Sequence, residues 1–285
     1  MKDICVAGII SYNPDIARLT ENITAICNQV SYVIVIDNGS DNYAKISAKL
    51  CNFDNVILHA LGENKGIAYA LNQCFMLAEK KHAKWILTLD QDSVCPCDMI
   101  TKYASYLSKI RKKTDANKFE HIGILCPTIV DRNVGAIEGD CSHSKTVSKC
   151  ITSGALTSYA AWETIGGFDE KMFIDGVDFE FCERLHKYGY YIIRVANVEL
   201  LHELGQMTSH KVLCKTVYVK NHSATRKYYI TRNRFYVAKK HKKPFSILKA
   251  HLSAIKAFFT VLLFESDKTE KCKAICKGAR DYKKM

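Results

Sequence analysis

Residues 85–94 read Trp-Ile-Leu-Thr-Leu-Asp-Gln-Asp-Ser-Val, an apolar run that ends in two carboxylates, Asp90 and Asp92, one residue apart. A run of this length bounded by polar residues is the signature of a strand buried on both faces. Three more such runs precede it. Ile4–Ile10 stops at Ser11-Tyr12-Asn13-Pro14, Tyr32–Ile36 stops at Asp37-Asn38-Gly39-Ser40, and Val56–Leu58 is followed by Gly62-Glu63-Asn64-Lys65-Gly66. Helical spacing lies between them, over Asp15–Gln29 (Ile16, Leu19, Ile23, Ile26) and about Ile67–Lys81. Strands alternating with helices imply βαβ units and a mainly parallel sheet flanked by helices, an α/β fold. Ligands of such sheets bind beyond the carboxyl ends of the strands. All four polar clusters are expected on that one rim.

The rest of the chain is less regular. Ile122–Pro127, Ile151–Ser158 and Tyr191–Val195 read as strands, Trp162–Gly167 as a short helix or turn, and Phe179–Tyr188 as a helix. Residues 203–222 show no period and read as a loop. From Arg226 onward there are 17 Lys and Arg against 4 Asp and Glu, while the preceding 225 residues hold 24 against 25, so the net charge of +12 belongs to the C-terminal segment. Two regions are expected: 1–225, the α/β domain that carries the polar rim, and 226–285, a basic amphipathic helical extension. Within the extension, Phe245–Phe264 is rich in Phe, Leu and Ile but is interrupted by Lys249, His251 and Lys256. A membrane-spanning helix needs about 20 largely uncharged residues. A basic amphipathic helix at a membrane surface fits better, and the same period also fits a core-packing helix with a solvated face. The basic tail has no nucleic-acid-binding motif, and no nucleic-acid partner is expected.

Apolar residues make up 48% of the 285, enough for a sizeable core. The 13 cysteines are an odd number with no CxxC pair and no zinc spacing. With no signal-like start, they point to free thiols in a reducing cytoplasm. Two aspartates on a strand-end turn can offer oxygens to a hard divalent cation, Mg²⁺ or Mn²⁺, which commonly takes one or two carboxylates plus substrate phosphates. The same residues would also serve as a helix cap and a solvated neighbour.

Several motifs in order carry a resemblance: VAGIISYNP (6–14), VIDNGSD (35–41), NKGIAYALN (64–72), LDQDS (89–93), SGAL (153–156), GGFDEKMFIDGVDFEFCERLHKYGY (166–190) and LHELG (201–205). Over roughly residues 3–235 the chain resembles the inverting family 2 glycosyltransferases of the GT-A fold, and within them the bacterial rhamnosyltransferases that use dTDP-rhamnose. The resemblance implies that Ser11, Tyr12 and Asn13 contact the nucleotide and that Asp37 accepts a hydrogen bond from the pyrimidine base. Asn64, Lys65 and Gly66 would lie along ribose and diphosphate. Asp90 and Gln91 would flank the ribose, Asp92 and His202 would face the metal, and Asp178 would be the catalytic base. Asp175 is its neighbour and rival, placed with Trp162 on the acceptor side. Arg226, Arg232 and Asn233 fall where relatives carry an Arg-Asn pair and would face phosphate. The chain departs from the family pattern at Val177, where an acid is frequent, and at Glu180, where Asp is frequent. Glu180 and Asp178 also fit an acidic cap at a helix start.

The implied reaction moves a sugar, rhamnose from a dTDP-linked donor, onto a hydroxyl of a lipid-linked or oligosaccharide acceptor in bacterial surface glycan synthesis. A UDP-hexose-dependent transferase is the alternative, and a nucleotidyltransferase a more distant one, because SYNP lacks the Gly-rich basic loop that holds a triphosphate. A non-catalytic binding protein would lack Asp92 or Asp178, and both are present. The expected setting is the cytoplasm, peripheral at the inner face of the membrane; a homodimer is a further expectation.

Overall fold

The computed structural model describes residues 5–113, 119–131, 135–136, 142–202, 208–212 and 215–285. The chain begins β1 (Cys5–Ser11), α1 (Ile16–Cys27), β2 (Tyr32–Asp37), α2 (Tyr43–Leu50), β3 (Val56–Ala60), α3 (Ile67–Glu79), β4 (Trp85–Asp90), α4 (Met99–Lys113). It continues β5 (Ile122–Asp131), β6 (Gly135–Ala136), β7 (Lys145–Thr146), β8 (Ala155–Ser158), α5 (Tyr159–Thr164), α6 (Val177–Lys187) and β9 (Tyr191–His202). A hairpin of β10 (Thr208–Val212) and β11 (Lys215–Val219) precedes three helices, α7 (Ala224–His241), α8 (Ser246–Phe264) and α9 (Lys268–Asp281).

The main sheet runs β3-β2-β1-β4-β8-β5-β9-β7, with β6 on β5. The first four strands are parallel, as their alternation with helices requires. Beyond them β8 is antiparallel to both β4 and β5, so the whole sheet is mixed. All seven residues of β1 are buried, which is why it reads as an unbroken apolar run. Asp15 caps α1, its carboxylate accepting from the Arg18 N–H at 2.9 Å. One core joins Ile9, Val33, Val35, Leu87 and Leu89 of the parallel strands to Ile23 of α1 and Tyr103 of α4.

The cysteines among the described residues are free thiols. Burial pushes Cys5 and Cys74 up to about 12, so both behave as small apolar side chains.

The chain divides into two compact units: residues 1–170 with 178–203, and residues 171–177 with 204–285. The stretch 203–222, read from its composition as a loop, contains the antiparallel β10–β11 hairpin, Thr208 opposite Val219 and Val212 opposite Lys215. A two-stranded ribbon is held by backbone pairing and needs no apolar alternation, so the composition carried little signal. In the second unit α7, α8 and α9 pack on one another through Phe235, Ala238 and Ala250, and through Val261, Cys272 and Ile275. Gly278 lets α9 approach α7 closely: a Cβ there would stand 2.5 Å from the Tyr228 carbonyl oxygen.

Candidate active site

Strand register builds the site. Ser11 pairs with Asp37 across β1 and β2, Ile10 pairs with Asp90 across β1 and β4, and Asp37 pairs with Ala60 across β2 and β3. The polar clusters after the four parallel strands therefore share one rim. The Asn38 N–H donates to the Ser11 carbonyl at 2.8 Å, and the Leu61 N–H to the Asp37 carbonyl at 2.9 Å, carrying the pairing into the loops.

Asp37 is 1% exposed. Its Oδ2 accepts from the Ser40 N–H at 3.1 Å, and its Oδ1 is buried with no hydrogen-bond partner among the described residues. A buried carboxylate oxygen left open is costly unless something donates to it. Gly39 makes the turn, with φ of 80°. A Cβ there would sit 2.5 Å from the backbone of Glu63, so the Asp37 and Asn64 loops touch. Asn38 ties them: its Nδ2 donates to Asn64 Oδ1 at 3.1 Å, and its Oδ1 accepts from the Lys65 N–H at 2.9 Å. Gly66, at φ 86°, opens α3, and its N–H donates to Asn64 Oδ1 at 3.0 Å. The Lys65 ammonium lies 3.6 Å from Glu63 and 5.2 Å from the centre of the Tyr69 ring, a partly exposed cation beside the loop. On the first loop, Asn13 exchanges hydrogen bonds with Asp41, and its N–H donates to Ser40 Oγ at 2.8 Å.

The Asp90–Asp92 turn is fixed from three sides. The Asp90 N–H donates to Ser153 Oγ at 3.2 Å, and Ser153 Oγ lies 2.7 Å from Ser93 Oγ. Asn22 Nδ2 of α1 donates to the Asp90 carbonyl at 2.6 Å. Gln91 Oε1 accepts from the Tyr12 N–H at 2.8 Å, joining this turn to the first loop. Val94 forms a bridge with Leu201, the residue before His202. The side chain of His202 lies outside the described residues. The Asp92 carboxylate takes no hydrogen bond and no ion pair among the described residues, and no three His, Cys, Asp or Glu side chains cluster there as a ready-made metal cage. One open carboxylate suits a hard cation that shares its remaining ligands with a diphosphate and water.

Asp178 stands in the first turn of α6, its Oδ1 accepting from the Phe179 N–H at 2.9 Å. Glu180 has a different task. It is fully buried and meets the Arg184 guanidinium in a two-pronged pair, Nε at 2.9 Å and Nη2 at 2.8 Å, while Arg184 Nη1 donates to the Ile165 carbonyl. This pair fixes the pitch of α6 one turn beyond Asp178. Phe181 stacks on Phe168 at 4.2 Å, and Phe168 meets Phe75 of α3 edge-on at 5.7 Å, so α6 is anchored to the helix that Gly66 opens.

Trp162, expected on the acceptor side, is a packing residue. Its indole N–H donates to Asn72 Oδ1 at 3.2 Å, and its ring stacks on Phe75 at 5.1 Å. Asn72 also binds the Phe168 N–H and carbonyl and Glu170, and becomes the polar hub of this cluster.

In the second unit Asp175, at φ 68°, receives both Arg226 Nη2 (2.6 Å) and Nε (3.3 Å). Asn233 Nδ2 donates to the carbonyls of Ile174 (2.7 Å) and Asp175 (2.9 Å), and Arg232 Nη2 to that of Lys171 (2.9 Å). Arg226, Arg232 and Asn233, read from the sequence as phosphate-facing, grip the segment 171–175. Asn22, Asn38 and Ser153 are the site residues that sequence reasoning did not single out. Asn38 and Ser153 lay in quoted motifs without a role of their own, whereas Asn22 acts across 68 positions from outside any of them.

The model of the family described as "Glycosyl transferase family 2" matches residues 7–117. A dTDP-rhamnosyl transferase, RfbF of Shigella flexneri, is 30% identical over 246 residues, 84% of this chain and 81% of that protein. Among solved structures, S. aureus TarS 1–349 in complex with UDP-GlcNAc superposes with a TM-score of 0.62 at 15% identity, over 99% of this chain and 82% of that one. GalNAc-T7 with UDP, GalNAc and Mn²⁺ gives 0.60 at 12% identity, over 96% and 54%. At these identities the two structures speak for the GT-A-like fold alone.

Proposed function

The chain belongs to glycosyl transferase family 2, and on that premise we propose that the sugar it moves is rhamnose, from dTDP-rhamnose, onto a hydroxyl of a bacterial glycan under construction. The likeness to a dTDP-rhamnosyl transferase supports the donor. The observation that carries the site is the buried, open Oδ1 of Asp37 at the rim, beside the paired Ser11. Thymine and uracil both present an imide N–H, and a carboxylate oxygen accepts it.

The transfer is a single displacement with inversion. Asp178 takes the proton of the acceptor hydroxyl as it attacks the anomeric carbon, and the nucleoside diphosphate departs from the opposite face. Gly66 brings backbone close to the diphosphate, and Asn38 and Asn64 hold that loop in shape. Asp92 would hold a divalent cation, Mg²⁺ or Mn²⁺, which when bound neutralises charge on the leaving diphosphate. The acceptor is lipid-linked or an oligosaccharide, and the enzyme works at the inner face of the membrane. The exposed apolar side of α8 supports that placement.

A panel of purified nucleotide sugars tests the reading, with release of nucleoside diphosphate as the signal. Turnover is expected with dTDP-rhamnose and not with UDP-glucose or UDP-GlcNAc. Turnover with UDP-hexoses alone would replace rhamnose with a UDP-linked hexose. A response only to nucleoside triphosphates would move the chain to nucleotidyl transfer.

A further inference from the structure

The turn between α7 and α8 carries a cavity of about 490 Å³ lined by Lys239, Lys242, Lys243 and Lys283, with Phe245 and Leu248 on its apolar side. No acidic residue lines it. Lys239, Lys242 and Lys283 form no ion pair among the described residues. Phe245, at φ 56°, is 75% exposed. Leu248 also begins a stripe along α8: Leu248, Leu252, Ile255, Phe259 and Leu263, spaced three or four apart on one face, each more than half exposed. The opposite face is already packed, with Ala250 and Val261 buried against α7 and α9. The exposed stripe is therefore surplus to the fold. By length and composition α8 would pass as a membrane span. Its Lys249 and Lys256, seven apart and on one side, suit a helix lying in the interface with ammonium groups raised to the headgroups.

We propose that this cavity is a phosphate site for the headgroup of an anionic phospholipid, with the α8 stripe lying in the acyl boundary beside it. The proposal deepens the membrane placement given above and rests on it. Four cations at one end of an apolar stripe match the two parts of such a lipid, phosphate and chain. A second copy of the chain would cover the stripe but gives no reason for lysines grouped at its end.

The test is co-sedimentation of the full chain with phosphatidylcholine vesicles, with and without phosphatidylglycerol. The parent should partition onto the anionic vesicles and be released by salt. Lys239→Gln/Lys242→Gln/Lys283→Gln should lower that partition roughly tenfold or more, and Leu252→Gln/Phe259→Gln should abolish it. Lys45→Gln/Lys49→Gln/Lys80→Gln removes the same charge elsewhere and should bind like the parent. All variants are compared after matching thermal melts. Parent-like binding by the pocket variant, or equal loss in the control, overturns the site. Thermal stabilisation of the parent by inorganic phosphate, with vesicles left unbound, overturns the lipid in favour of free phosphate. A dimer that Leu252→Gln/Phe259→Gln dissociates, with vesicle binding unchanged, overturns it in favour of self-association. Calorimetry with dTDP separates the two readings: failure of dTDP to bind would strike the donor assignment and leave the vesicle result standing.

Discussion

Asp37 and Ser40 close a turn in which one carboxylate oxygen takes the Ser40 N–H at 3.1 Å and the other is buried with nothing among the described residues donating to it. The open oxygen is a preformed acceptor whose geometry the backbone has already set. Asp37→Asn keeps the shape but offers a neutral amide. Hydrogen bonds to charged groups contribute about 1.5–3 kcal/mol, so calorimetric affinity for dTDP should fall by about one to two orders of magnitude. Parent-like affinity would remove Asp37 from base recognition.

Asp178→Asn should separate binding from chemistry. A positioned general base contributes about 10²–10⁴-fold, so kcat should drop by that order while dTDP affinity stays close to the parent's. Turnover at the parent's rate would place the base elsewhere, with Asp175 the first candidate by proximity in the chain.

Glu180 is buried and Arg184 mostly so, and removing one partner of such a pair strands the other charge. Glu180→Ala should cost about 3–5 kcal/mol in urea unfolding. Glu180→Leu/Arg184→Met should cost less than either single change, because no charge is left uncompensated. A double variant whose cost equals the sum of the two single costs would contradict a coupled pair.

Gly39→Ala adds a Cβ 2.5 Å from the Glu63 backbone at a left-handed φ. The backbone conformation alone costs roughly 1–3 kcal/mol, and the clash must part the Asp37 and Asn64 loops. Thermal stability and dTDP affinity should fall together. Loss of stability without loss of affinity would uncouple the two loops.

His222 gives a pH signature. Burial, and next the Arg226 guanidinium, lower its pKa below the ordinary 6.5, against a smaller opposing pull from Asp175; Lys227 and Lys220 add to the lowering. The unfolded chain therefore binds the proton more readily, and this contribution to stability is present above pH 6.5 and lost as pH falls below it. Chemical denaturation from pH 7.5 down to 5.5 should show a declining slope that His222→Gln flattens. The same slope in the variant would assign it to other groups.

The parallel half of the fold was legible because β1, β2 and β4 are buried on both faces and each of the four strands stops at a polar turn; β3, at the sheet edge, is only half-buried. Asp37, Asp90 and Asp92 sit where those runs end, so their place on the rim followed from the strand pattern alone. Asn22 was not legible, nor was the contact of Ser153 with the Asp90 turn although SGAL was a quoted motif, since hydrogen bonds across more than 60 residues leave no local period. Trp162 and Arg226 were placed by motif, which names a position along the chain but not the neighbour. Asn72 and Asp175 turned out to be those neighbours. The β10–β11 hairpin escaped because main-chain pairing needs no particular side chains.

The grip of Arg226, Arg232 and Asn233 on residues 171–175 has a practical corollary for engineering. Asp175 precedes Asp178 by only three positions, and the helical tail braces the stretch of chain that runs up to the start of α6. A chimera that exchanges residues 204–285 with a relative's must exchange 171–177 as well; grafting the tail alone would leave Asp175 facing a stranger.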